Sequence, residues 1–204
     1  METSQYLDRV LAKYAGSFDI EKNYTLGDDT WSAYAYFFSL GEKYVLTRKA
    51  KLWSIRAYEY VLFQETERCT SELLDRLYAA LTVRIEEDCV RKGARYPEKD
   101  HMYSYLSAVV ISRFSPDEEV LRHIRELRFD KGYLLSFRGH SEFHLVVVDL
   151  EREKVYTNPA AGKMKKVYRK AFDEIRQGAK GYTELYVTGE ALRPAEADED
   201  VLPL

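Results

Sequence analysis

Residues 31–63 read WSAYAYFFSLGEKYVLTRKAKLWSIRAYEYVLF. Aromatic and small residues alternate through 31–40, and again through SIRAYEYVLF (54–63), as they do on a pleated strand with one buried face. Tyr34 and Tyr36 stand at i, i+2, as do Tyr58 and Tyr60, so each pair shares a face. Gly41-Glu42 reads as a turn, and KYVLTRK (43–49) as a strand between the two. Connections this short join antiparallel neighbours, because parallel pairing needs a long crossover. The stretch therefore predicts a three-stranded meander.

Toward the N terminus, SFDIEKNY (17–24) reads as a short strand before a turn at Gly27-Asp28-Asp29. Tyr6, Leu7, Val10, Leu11 and Tyr14 recur at helical spacing and predict a helix over 3–14, stopped by Gly16. On the other side, Leu74, Leu77, Leu81, Ile85 and Cys89 mark a helix over 70–92, with Thr70 as its N-cap. HMYSYLSAVVISRF (101–114) predicts a strand. Ser115-Pro116-Asp117-Glu118 reads as a helix start, with Ser115 capping and Glu118 completing a capping box. GYLLSFR (132–138), FHLVVVDL (143–150) and KVYTN (154–158) predict three more antiparallel strands. Asn158-Pro159 then opens an amphipathic helix through Met164, Val167, Tyr168, Ala171, Phe172 and Ile175, and TELYV (183–187) reads as a last short strand.

The fold class expected is α+β, with antiparallel meander sheets and flanking amphipathic helices. Residues 1–190 are read as one domain and 191–204 as an acidic, flexible tail. Two arrangements fit the element order. One is a duplicated α-β-β-β-α unit over 3–92 and 116–177; the other is a single continuous sheet with its helices on one face.

The 204 residues are 46 % hydrophobic, enough for a packed core. Seventeen tyrosines reinforce the expectation of extensive sheet. A net charge of −3 offers no overall basic excess for nucleic acid. Cys69 and Cys89 are both placed on the 70–92 helix, about 30 Å apart and beyond disulfide reach. With no leader pattern and no long apolar run, a cytoplasmic protein without membrane contact is expected.

Four groups of residues could carry function. On an unbroken strand, Arg138, His140, Glu142 and His144 would share one face and offer two imidazoles and a carboxylate. Gly139 instead favours a solvated hairpin tip, so no metal is assigned. Asp100, His101 and Tyr103 lie at a loop-to-strand junction, a common place for function. Tyr34/Tyr36, Tyr58/Tyr60 and Tyr103/Tyr105 would form an aromatic ladder if their strands are neighbours; such rings receive bases or peptides, or simply stabilise a sheet. Lys43, Arg48, Lys49, Lys51 and Arg56 form one basic stretch, and Lys163, Lys166 and Lys170 mark a second. Their convergence would make a phosphate-binding patch. Nucleotide-binding glycine motifs, a GxSxG elbow and HExxH are all absent from the sequence, and no cofactor is expected.

GEKYVLTRKAKLWS (41–54), YPEKDHMYS (96–104), FDKGY (129–133) and VYTN (155–158) together resemble a family of uncharacterised bacterial proteins of this length, over roughly residues 5–175. The resemblance implies a bacterial cytoplasmic protein and brings no activity with it. The leading expectation is a non-catalytic binding or adaptor protein acting through protein or peptide contacts, a homodimer among them. One alternative is a small-molecule or metal-dependent enzyme built from 98–104 and 138–144. The other is nucleic-acid binding through the basic stretches.

Overall fold

The computed structural model describes residues 1–44 and 51–186, the side chains of 41–55 and 186 excepted. It is an α+β fold with one mixed sheet of seven strands. The strands are β1 (Asp19–Leu26), β2 (Asp29–Tyr44), β3 (Lys51–Arg68), β4 (His101–Phe114), β5 (Asp130–Gly132), β6 (His140–Asp149) and β7 (Lys154–Thr157). The helices are α1 (Thr3–Tyr14), α2 (Ser71–Ala79), α3 (Glu118–Glu126), α4 (Lys165–Arg176) and α5 (Tyr182–Tyr186). A π-helical segment, Ala80–Val90, continues α2, and a short 3₁₀ turn, Ala160–Met164, precedes α4.

The sheet runs β1-β2-β3-β4-β6-β5, with β7 also on β6. The β1-β2-β3 meander is antiparallel as expected. β3 and β4 pair in parallel, however, and so do β4 and β6. The first crossover is α2 with its π-helical continuation, and the second includes α3. The purely antiparallel expectation is thereby corrected to a mixed sheet.

Side-chain alternation divides the core into two layers. Ala33, Ala35, Val61, Phe63, Val109, Ile111, Val146 and Val148 pack with α1 and α4. Leu62, Leu106, Ala108, Val110, Phe143, Leu145 and Val147 pack with α2, its π-helical extension and α3. Helices therefore cover both faces rather than one. β4 shows why: every residue from Leu106 to Ser112 is buried, as a doubly covered strand requires.

Several local expectations change. β2 runs through Gly41-Glu42 to Tyr44, paired with β3 throughout, so no turn forms there. The predicted 43–49 strand lies largely outside the described residues, as does the 191–204 tail. Cys69 precedes α2 instead of lying within it. Asp117, not Ser115, caps α3 by accepting from the Val120 amide at 2.9 Å. Ser115 instead donates to the buried Asp149. The predicted 132–138 strand is a tight turn: Leu134, Leu135 and Ser136 have φ of 50°, 53° and 65°, backbone that no ladder accepts. Residues 182–186 are helical, not extended. The structure does not show a duplication. β2 has one partner strand on each side, whereas β6 has β4 on one edge and both β5 and β7 on the other.

Asn158 splices those two edge strands. Its carboxamide oxygen accepts from the amides of Leu145 (3.0 Å) and Ala161 (3.1 Å). Its amide nitrogen donates to the carbonyls of Phe143 (2.9 Å) and Leu127 (3.2 Å). Both ends of the carboxamide are thus satisfied in the gap between β5 and β7.

Candidate functional site

The parity of β2 and β3 puts Tyr34, Tyr36, Tyr58 and Tyr60 on the α2 side of the sheet. Tyr36 lies opposite Tyr60 in the register, with ring centroids 5.3 Å apart. Tyr58 stacks along its strand on Tyr60 at 6.3 Å, and Tyr34 stacks on Tyr24 at 4.4 Å. The rings floor a cleft of about 460 Å³. Asp19 and Glu21 of β1, opposite Tyr36 and Tyr34, form one wall. Cys89 and Lys92, at and beyond the end of the π-helical segment, form the other.

The cleft stays un-ionised at its floor. Burial raises the Tyr34 and Tyr60 phenols well above their ordinary range, and raises that of Tyr36 as well. Negative charge adds to this, from Asp19 at Tyr36 and from Glu21 at Tyr34. Burial, helped by Asp88, also raises the Cys89 thiol, so it is no ready nucleophile. Lys92 donates to Glu98 at 2.6 Å, and Glu98 also binds Arg56.

The 98–104 and 138–144 segments do meet. Tyr103 is the register partner of His140, and Arg138 donates to the Pro97 carbonyl at 3.1 Å. Their side chains nevertheless divide between the two faces. His101 is buried on the α2 side, beside Tyr58 and Tyr133. Its Nδ1 lies 2.7 Å from the Arg138 carbonyl and its Nε2 2.9 Å from the Ser104 hydroxyl. A carbonyl only accepts, so Nδ1 carries the proton and Nε2 accepts from Ser104. Burial lowers the His101 pKa, which suits this neutral clamp. The Asp100 carbonyl accepts from the Arg56 amide, fastening β3 to the same junction.

Arg138 and Gly139 lie in the tight turn that joins antiparallel β5 to β6, as a hairpin tip around Gly139 requires, but β6 is unbroken from His140, so His140 and Glu142 belong to the strand and not to the tip. His140, Glu142 and His144 share the α1/α4 face with Tyr103 and Tyr105. His140 meets Tyr103 edge-on at 4.7 Å, and His144 stacks on Tyr105 at 4.9 Å. Glu142 accepts from His144 at 3.1 Å, although burial still lowers the His144 pKa. Beside them Glu59 is buried, accepts from Ser107 at 2.9 Å, and has its carboxyl pushed up to about 7 by burial. Among the described residues, no cluster of three or more His, Cys, Asp or Glu side chains has the geometry to hold a metal.

A family model described as "Domain of unknown function (DUF8052)" matches residues 2–170. The chain belongs to the DUF8052 family. No curated protein and no solved structure matches it. The cleft, Glu59 and His144 all fall inside the DUF8052 match, whereas α5 lies beyond it.

The tyrosine pairs were legible, but not their faces: Tyr103 and Tyr105 lie on the side of the sheet opposite Tyr34, Tyr36, Tyr58 and Tyr60. Of the first basic stretch, Arg48 and Lys49 lie outside the described residues, and Arg56 is held by Glu98. Lys43 and Lys51 sit on strands whose side chains there are not described. Lys163 belongs to the 3₁₀ turn, and Lys166 and Lys170 to α4, which packs on α1 and β7. Glu59 escaped the sequence reading. Its signal was parity: it is a carboxylate at an inward position of AYEYVLF. No helix among the described residues is long and apolar enough to cross a membrane.

Proposed function

We propose that this protein is a non-catalytic binding protein that engages a protein or peptide partner through the tyrosine-floored cleft. The observation that carries the reading is the convergence of four tyrosines from two strands on a cavity of about 460 Å³, within the usual range of ligand sites, roughly 300–1,000 Å³. The chemistry of the lining favours binding over catalysis: its phenols and thiol are held protonated, and the nearest imidazole, His101, spends both nitrogens on structure. Asp19 and Glu21 also disfavour a phosphate backbone in this cleft.

The test is a ligand-observed NMR screen with fragments representing aromatic, amine, sugar and nucleoside groups. It compares the native protein with a Tyr36→Leu/Tyr58→Leu variant whose thermal unfolding is checked. Aromatic or amine fragments, which mimic peptide side chains, should bind the native protein and lose binding in the variant, whereas cleft binding by sugar or nucleoside fragments alone would refute a peptide partner. Hits that all persist in a folded variant would place the ligand elsewhere.

A further inference from the structure

The cleft has a charge pattern as well as a shape. Asp19 and Glu21 are both exposed and line one wall. The opposing cation, Lys92, is engaged by Glu98, which also holds Arg56. These five groups carry three negative and two positive charges. The two carboxylates on the β1 wall have no cation among the cleft-lining residues on their own side. Aromatic faces attract cations through their quadrupole, out to about 6 Å from the ring centre. A guest that meets tyrosine rings on the floor and carboxylates on the wall gains on both counts if it is a flat or compact cation.

We infer that the cleft receives an organic cation, the guanidinium or ammonium end of an arginine or lysine side chain on the partner. This inference rests on the cleft being the binding site proposed above. The cleft has room for such a side chain, whose alkyl stem would lie on the tyrosine rings while its head meets Asp19 and Glu21. Guanidinium has the added advantage of a planar fork for carboxylates and a flat face for stacking.

Four probes decide the matter in ¹⁵N NMR titrations: N-acetyl-argininamide against its neutral isostere N-acetyl-citrullinamide, and N-acetyl-lysinamide against N-acetyl-norleucinamide. The cationic probes should shift amides near Asp19–Glu21, Tyr34–Tyr36, Tyr58–Tyr60 and Cys89–Lys92, and should bind about tenfold more tightly than their neutral partners. Added salt should weaken them. Asp19→Asn and Glu21→Gln should each cost about threefold in affinity, and together about tenfold. Both residues are exposed, so these variants should remain folded. Lys92→Gln should strengthen cation binding, a sign that a purely structural role would not produce. Equal binding of neutral and cationic probes overturns the charge assignment and leaves the cleft as a binding site. Silence from all four probes, while the fragment screen still finds cleft ligands, does the same. Silence in both experiments removes both readings.

Discussion

Asn158 offers a sharp test of how the far edge of the sheet is held. Its side chain makes four hydrogen bonds, three of them in fully buried surroundings. Asn158→Ala removes all four and strands the Leu145 and Ala161 amides and the Phe143 carbonyl inside the protein. Each stranded group costs roughly 1–3 kcal/mol. With partial relaxation, three of them predict a loss of about 4 kcal/mol, a large share of a typical folding free energy of about 5–15 kcal/mol. In a chain of this length that lowers Tm by roughly 10 °C. Asn158→Asp is the more incisive partner. It keeps shape and both acceptor contacts but turns a carboxylate oxygen toward the Phe143 and Leu127 carbonyls. The introduced carboxyl must therefore have a folded-state pKa above its unfolded value. Its stability contribution is fully present below the unfolded pKa and is lost as pH rises through the folded one. Urea unfolding followed by circular dichroism, with each variant compared with the native chain at matched pH, should show the Asn158→Asp deficit growing from acid toward neutral pH, while the Asn158→Ala deficit stays level. An Asn158→Ala loss under about 1 kcal/mol, or an Asn158→Asp deficit independent of pH, would refute the splice.

Other residues carry shorter predictions. The Glu59 carboxyl titrates at about 7 when folded, so native stability should decline as pH rises from the unfolded value to there, by about 3 kcal/mol. Glu59→Gln stays neutral and should flatten that decline in a pH series of urea unfolding curves. Glu86 is buried and accepts from Arg91 (2.8 Å), Lys131 (2.9 Å) and the Tyr133 hydroxyl (2.7 Å). Those donors hold its carboxyl below the ordinary range despite burial, so its contribution is present above the unfolded pKa and fades as pH falls through the folded one. Glu86→Ala should cost about 3 kcal/mol at neutral pH and much less in acid, as measured by chemical unfolding. Gly139 has a φ of +73°, and an added Cβ would collide with the Met102 carbonyl. Gly139→Ala should lose about 2–4 kcal/mol in the same assay.

How much of this was legible in the sequence depended on what kind of information each element needs. The α1 and β4 boundaries match the expected 3–14 and 101–114, because local periodicity and flanking breakers decide them. The parallel pairings had a signal too. A long helix separates β3 from β4, and the runs AVVI and LVVV lack the alternation of a half-exposed strand. Gly41-Glu42 misled because its dipeptide chemistry favours a turn, while pairing with Ile55 and Ser54 across the sheet overrides it. The left-handed run at Leu134–Ser136 is unreadable locally, since leucine seldom adopts it. It is closed by its own backbone, with Tyr133 donating to the Gly139 carbonyl and Arg138 to that of Tyr133. The cleft was half legible. Spacing paired the tyrosines, but β1 supplies one wall and a π-helical turn the other, and only the folded register brings them together.

The two short strands on β6 have a consequence for assembly. A free sheet edge is a template onto which another chain can add a strand. On this side the edge is broken into β5, three residues long, and β7, four residues long, with a side chain rather than a strand between them. An incoming strand finds no continuous ladder there. At the opposite border, β1 carries Asp19, Glu21 and Lys22, and Asn23 has a φ of 55°, which bends the backbone out of register with a newcomer. Among the described residues, β1 and the broken β5–β7 border are therefore both poor templates for a further strand, whereas Phe37–Tyr44 of β2 extend past the end of β1 and pair on the β3 side.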